Sequence, residues 1–301
     1  MTSPSILATA VVPWNSDFTV DRARFQEQVG VIARGLTRAI YVFGTAGEGY
    51  AVTEAQFDEI AALFWDAAQK ESVSPILGII SLSLPIVAER IRRGRALGFR
   101  QFQISLPAWG ALLDHEVDLF FAQTCGQFPD CTFNHYNLLR TKRLLTGKDY
   151  LRITERHPNL VAVKCSTSDP AVLTELLTAS PRVRFYFTEF GYAIARRMGA
   201  DVGLLVSLGC AHYPSAQAFV SGTDEHRDAA CLDLKKIVSG LTENATGRFH
   251  IDGAFDKMLI RLSMPEFPLR LLPPYAGPTD EDFSRFRDAL PPTWRDAKTL
   301  A

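Results

Sequence analysis

Short β-rich runs alternate with amphipathic helical stretches along about two thirds of the 301 residues, and this alternation constrains the fold more than any other feature. Eight runs read as strands: 6–13, 39–43, 75–80, 101–105, 131–136, 160–164, 182–188 and 202–207. The stretches between them carry helical periodicity. In 21–33, for example, Phe25, Val29 and Ile32 fall on one face. Thr53-Glu54-Ala55-Gln56 has the form of a capping box, and Asp169-Pro170 reads as a cap followed by proline at the first helical position. Strands that alternate with helices require a parallel sheet with crossover connections. At this length a closed (β/α)8 TIM barrel is favoured over an open doubly wound sheet, which would carry a GxGxxG turn after an early strand; the chain has none. Strand signals stop after about residue 214. Helical patterns follow at 216–222, 225–241, 253–264 and 280–289, the last after the proline-rich stretch 267–278. The expected organisation is a catalytic barrel over 1–222 and a C-terminal helical region over 223–301.

Composition narrows the function classes. With 47% hydrophobic and 22% charged residues the chain has material for a large core. A net charge of −1 argues against a nucleic-acid or other polyanion partner. Five scattered cysteines (Cys125, Cys131, Cys165, Cys210, Cys231) form no CxxC pair, which fits a reduced compartment better than a disulfide framework or zinc site. The N-terminal residues lack a basic patch, and no run approaches the ~18 apolar residues of a membrane span. The expectation is a soluble cytoplasmic protein with no membrane partner, on which the sequon Asn244-Ala245-Thr246 is idle.

In a β/α barrel the active site lies at the carboxyl ends of the strands. The run Asn159-Leu160-Val161-Ala162-Val163 ends in Lys164. A lysine closing a buried strand sits where its charged form is disfavoured, and the free amine can attack a carbonyl. The competing reading is a strand-end lysine that reaches back to solvent. Gly44-Thr45-Ala46-Gly47-Glu48-Gly49, after the second strand, offers backbone amides and the Thr45 hydroxyl to an anion such as a carboxylate, or is an ordinary glycine turn. Tyr136 ends the fifth strand with a phenol able to move protons, unless it is a half-buried packing residue. His135, one position earlier, faces the opposite side and reads as packing; Cys165 faces away from Lys164 in the same manner. The remaining histidines show no metal-ligand spacing, so no metal site is expected.

Gly44-Thr45-Ala46-Gly47-Glu48-Gly49 with Gln56, the pair Tyr136-Asn137, Ala162-Val163-Lys164, and the 28 positions between Tyr136 and Lys164 resemble the signatures of the dihydrodipicolinate synthase/N-acetylneuraminate lyase family. The resemblance runs from about Ala8 to Pro273, nearly the whole chain. It implies a class I aldolase-type lyase on a β/α barrel, a homotetramer or dimer, with no metal or organic cofactor. Lys164 would form a Schiff base with pyruvate or another 2-oxo acid, and Tyr136 would be the proton shuttle. Thr45 and the amides of Thr45 and Ala46 would hold the carboxylate, with Gly44 allowing close approach. Leu205, at the eighth strand, matches a position whose carbonyl faces the substrate.

The chain also departs from the pattern. Ala46 replaces a second hydroxyl, Trp109 stands where a second tyrosine would fall, and Leu139 replaces the proline after the Tyr-Asn pair. An indole cannot accept and return a proton as a phenol does, so a true dihydrodipicolinate synthase is not expected. Trp109 would suit an aryl or bulky aldehyde portion, as in hydratase-aldolases of this family, or would pack against a neighbouring subunit. Arg140, with a one-residue gap, matches an arginine that binds a distal carboxylate, or is a surface arginine in a basic cluster. Glu189, on the seventh strand, could bond substrate hydroxyls or act as a second acid/base, or be structural. A dehydratase using the same lysine imine, and a non-catalytic 2-oxo acid or amino acid sensor, are the alternatives.

Overall fold

The computed structural model describes residues 5–179, 182–245, 247–291 and Trp294. The eight strands are β1 (Ile6–Thr9), β2 (Ala39–Val42), β3 (Ser74–Gly78), β4 (Gln101–Ile104), β5 (Thr132–Asn137), β6 (Leu160–Cys165), β7 (Arg184–Phe187) and β8 (Gly203–Leu205). They form a closed parallel barrel in chain order, as the alternation predicts. Helices α1 (Arg22–Gly35), α2 (Glu54–Lys70), α3 (Leu84–Leu97), α4 (Asp114–Phe121), α5 (Gly147–Arg156), α6 (Pro170–Ala179) and α7 (Glu189–Arg197) connect successive strands. After β8 come α8 (Tyr213–Ser221), α9 (Asp224–Ala245), α10 (Asp252–Ser263) and α11 (Asp280–Ala289). No described helix is long and apolar enough to cross a membrane, and no disulfide joins any of the five cysteines.

The helices begin where the sequence supplies caps. Thr53 accepts from the Gln56 amide while Gln56 returns a bond to the Thr53 amide, and Thr146 with Asp149 and Thr279 with Asp282 repeat the arrangement. Asp21 caps α1, whose Phe25, Val29 and Ile32 are buried as their spacing requires. Gly98, at φ 118°, ends α3 in the left-handed conformation that a side chain would resist.

The chain groups into two compact units. The first comprises Met1–Leu7 and Pro75–Leu205. It contains β3 to β8 and the start of β1, with Leu77 level with Phe102, Phe102 with Phe133, and Leu7 with Leu205. Strands buried on both faces read as continuous apolar runs, and Phe102, Phe133, Val163, Phe187 and Leu204 are fully buried here. The second unit comprises Ala8–Ser74 and Val206–Ala301. It contains the end of β1 paired with β2 (Ala8 with Ile40), then α1, α2 and the C-terminal helices. β1 is shorter than its sequence signal, although the Ala10 amide still donates to the Tyr41 carbonyl at 2.7 Å.

Candidate active site

Within the first unit, Tyr136 on β5, Lys164 on β6 and Tyr186 on β7 are register partners. Partners in a parallel sheet share a face, so the three side chains form one layer. Lys164 is 3% exposed and Tyr136 6% exposed. The Lys164 Nζ stands 3.8 Å from the centroid of the Tyr136 ring. The strand-end lysine is therefore held inside, against an aromatic face, and does not run back to solvent. Tyr186 was not singled out from the sequence. It is buried, burial raises its phenol above the ordinary tyrosine value, and Arg184 opposes that shift. Its ring needs Gly203 as a neighbour, because a Cβ there would lie 2.3 Å from Tyr186 Cε1.

The opposite face of these strands is packing, as alternation predicts. His135 Nδ1 is 2.7 Å from the Tyr150 hydroxyl, and its ring lies edge-on to Phe121 at 5.4 Å. Full burial pushes the His135 pKa down to about 3, so the ring is neutral. Burial also raises the Cys165 thiol, which keeps it protonated and poorly nucleophilic.

The loops beyond the strands are fixed by named bonds. Asn137 clamps Leu145 from both sides: its Nδ2 donates to the Leu145 carbonyl at 2.8 Å, and the Leu145 amide donates to its Oδ1 at 2.9 Å. This closes the loop that carries Arg140, which lies exposed in the short 3-10 turn Leu139–Thr141. Lys142 donates to the Trp109 carbonyl at 2.9 Å and Arg143 to the Leu112 carbonyl at 2.6 Å, tying this loop to the one after β4. The Trp109 indole itself is 83% exposed. Glu189 is buried at the start of α7, where Gly191 packs so closely on the Thr167 carbonyl that a Cβ would lie 2.2 Å from it. The segment after Lys164 is thereby held by the first turn of α7. Leu205 is buried at the end of β8, paired with Leu7.

Gly44, Thr45 and Ala46 belong to the second unit, in the turn after β2. All three are buried, and the turn folds back on itself through Gly49 N–H to the Gly44 carbonyl and Glu48 N–H to the Thr45 carbonyl. Phe43 (φ 62°) and Glu48 (φ 55°) both adopt the left-handed conformation, which costs a non-glycine residue about 1–3 kcal/mol. Surrounding contacts hold them there. Phe43 stacks on Phe57 at 5.1 Å, and the Glu48 carboxylate accepts bonds from Trp14 Nε1 at 2.8 Å, Lys257 Nζ at 2.7 Å and the Leu272 amide at 2.6 Å. Sequence reading placed Glu48 in the motif without giving it a partner and missed Lys257; no local signal links positions so distant. The same unit has an open cavity of about 610 Å³ lined by Arg261, Arg270, Pro273 and Tyr275 among others. Among the described residues no group of three or more His, Cys, Asp or Glu side chains is placed to hold a metal ion.

No family model and no curated protein matches the chain. Solved structures do. A prophage protein of the dihydrodipicolinic acid synthase family from E. coli K12, in complex with pyruvate, superposes with a TM-score of 0.85 at 13% identity, covering 98% of this chain and 99% of that one. A catalytic lysine mutant of the Ruminococcus gnavus sialic acid aldolase gives 0.80 at 13% identity over 94% and 93%. The Proteus mirabilis N-acetylneuraminate lyase gives 0.80 at 16% identity over 95% and 98%. At these identities the likeness is one of fold. What the chain shares with these proteins is its fold, a closed β/α barrel followed by C-terminal helices.

Proposed function

We propose that this protein is a divergent member of the dihydrodipicolinate synthase/N-acetylneuraminate lyase family and acts as a Schiff-base lyase on a pyruvate-type 2-oxo acid. The observation that carries the reading is the buried amine of Lys164, set 3.8 Å from the Tyr136 ring at the ends of adjacent strands. Support comes from fold neighbours that include one crystallised with pyruvate and one described by its catalytic lysine.

In the proposed reaction the neutral Lys164 amine adds to the keto carbon. The resulting carbinolamine loses its hydroxyl as water once a proton reaches it, and Tyr136 is the proton carrier for that step. The iminium withdraws electrons from the bond between its α-carbon and the hydroxyl-bearing carbon. The substrate hydroxyl gives its proton to the Tyr136 oxygen, which lost one in the dehydration; the bond breaks to release an aldehyde, and the electron pair enters the enamine. Protonation at carbon and hydrolysis then release the 2-oxo acid and restore the amine. We assign the carboxylate to Gly44, Thr45 and Ala46, whose turn offers backbone amides and the Thr45 hydroxyl to an anion. Leu205 contributes its carbonyl, and Glu189 bonds a substrate hydroxyl. Trp109 and Arg140, on loops tied together by Lys142, take the distal part of the aldehyde adduct. Trp109 in place of a phenol favours an aryl partner over lysine-biosynthetic chemistry, and a homo-oligomer is the expected assembly.

The test is reduction with borohydride in the presence of pyruvate, followed by peptide mapping. A reduced pyruvate on Lys164, unaffected by a chelator, supports the proposal; no adduct with any 2-oxo acid removes it in favour of a binding-only role.

A further inference from the structure

Glu48 and Lys257 form an ion pair in which both side chains are 0% exposed. The pair lies in the second unit, and no step of the proposed reaction uses it. Burying two charges is costly unless every remaining bond is satisfied, and here Glu48 takes three donors from three separate segments: Trp14 after β1, Lys257 on α10, and the Leu272 amide. Lys257 makes a second bond, to the Arg270 carbonyl. Burial holds Lys257 below the ordinary lysine value, at about 8, while the Glu48 charge pulls it back up. The backbone of Glu48 is itself left-handed and closes the glycine turn onto Thr45. Gly253, at the start of α10, packs where a Cβ would lie 3.2 Å from the Ala46 carbonyl and 3.6 Å from Glu48 Cγ. The strained turn is thus fastened from beneath by one carboxylate and walled by the helix that supplies its counter-ion.

We propose that the Glu48–Lys257 pair, with Trp14, is a positioning device that fixes the Gly44–Thr45–Ala46 backbone in the conformation that receives the substrate carboxylate. This rests on the Schiff-base reading above and deepens it. Glu48 and Lys257 act through the turn and touch no reacting atom. A turn already locked in its binding geometry spends no ordering entropy when the carboxylate arrives, so the device acts on affinity and leaves the imine chemistry at Lys164 alone.

The experiment uses the full chain, with Glu48→Gln and the milder Trp14→Phe, and measures borohydride-trapped adduct on Lys164 against pyruvate concentration. Glu48→Gln replaces a bidentate acceptor with an amide whose N–H2 faces other donors. The half-saturating pyruvate concentration is expected to rise about 10-fold in Glu48→Gln and about threefold in Trp14→Phe, which removes one donor, with the plateau of adduct unchanged. Hydroxyacetone, a ketone with no carboxylate, should show the same half-saturation in each variant as in the native protein. Hydrogen exchange should accelerate about 10-fold in peptides spanning 43–49 and stay unchanged across β5 and β6. Native-like pyruvate saturation in both variants would overturn the inference and leave the lyase reading standing, as would an equal shift for hydroxyacetone. Absence of any adduct in the native protein would overturn both. If Glu48→Gln does not fold, Trp14→Phe decides.

Discussion

At the scale of single residues, the chemistry depends on which face of a strand a side chain takes. Tyr136 and Lys164 share one face, while His135 and Cys165 take the other, where burial removes their charge or nucleophilicity. Tyr136→Phe keeps the ring against Lys164 and deletes only the hydroxyl. Turnover should fall by roughly 10²–10⁴-fold with the fold intact, measured as pyruvate release from an aldol adduct. Unchanged turnover would take Tyr136 out of the proton path. His135 has a stability consequence with a definite sign. Its folded pKa, about 3, lies below its ordinary value of 6.5. As pH falls through 6.5 the unfolded chain takes up a proton that the native state refuses, so stability is complete above that pH and declines towards pH 3. The loss between pH 6.5 and 4 should be about 3 kcal/mol. Denaturant midpoints across this window should show the slope in the native protein and a flatter one in His135→Gln. Equal slopes would contradict the assignment.

At the scale of elements, loops are aimed by a few bonds that reach back to the strands. Asn137 immediately follows Tyr136 and holds both polar groups of Leu145. Asn137→Ala would leave a buried amide and carbonyl unpaired, a cost of about 2 kcal/mol, read from urea unfolding, with faster exchange confined to 138–145. Wild-type stability would show the clamp to be idle. The elements themselves were legible in the sequence because helical and strand periodicities alternate cleanly, and Thr53 with Gln56 marks the start of α2. The end of β1 was not legible. Ala10, Val11 and Val12 are as apolar as the strand before them and equally buried, so hydrophobicity carried the signal past the last ladder residue. Tyr186 was missed because Phe185-Tyr186-Phe187 is aromatic at every position, and a run buried on both faces has no alternation to reveal which ring points inward.

At the scale of the whole molecule, eight strand signals that alternate with helix signals predicted the closed barrel, and the resemblance named a fold that the solved structures share. The amine and phenol that the sequence singled out lie together in one unit. What the sequence could not display was long-range pairing. Glu48 and Lys257 are separated by 209 positions, and no local pattern couples them. Lys257→Met would leave the Glu48 charge buried without its counter-ion and should cost about 3–5 kcal/mol, whereas distributing the change over Glu48→Gln and Lys257→Met together should cost less than the sum. A double-mutant cycle in guanidinium measures the coupling; strict additivity would mean that the pair does not interact energetically.

The central claim is that the Lys164 nitrogen becomes covalently bonded to the keto carbon of a 2-oxo acid, and intact-mass spectrometry after borohydride reduction with pyruvate reads this directly. The account predicts one reduced pyruvate per chain, mapped to the Lys164 peptide and missing from Lys164→Ala. A native protein that stays unmodified at saturating pyruvate, or an adduct that persists in Lys164→Ala, would contradict it.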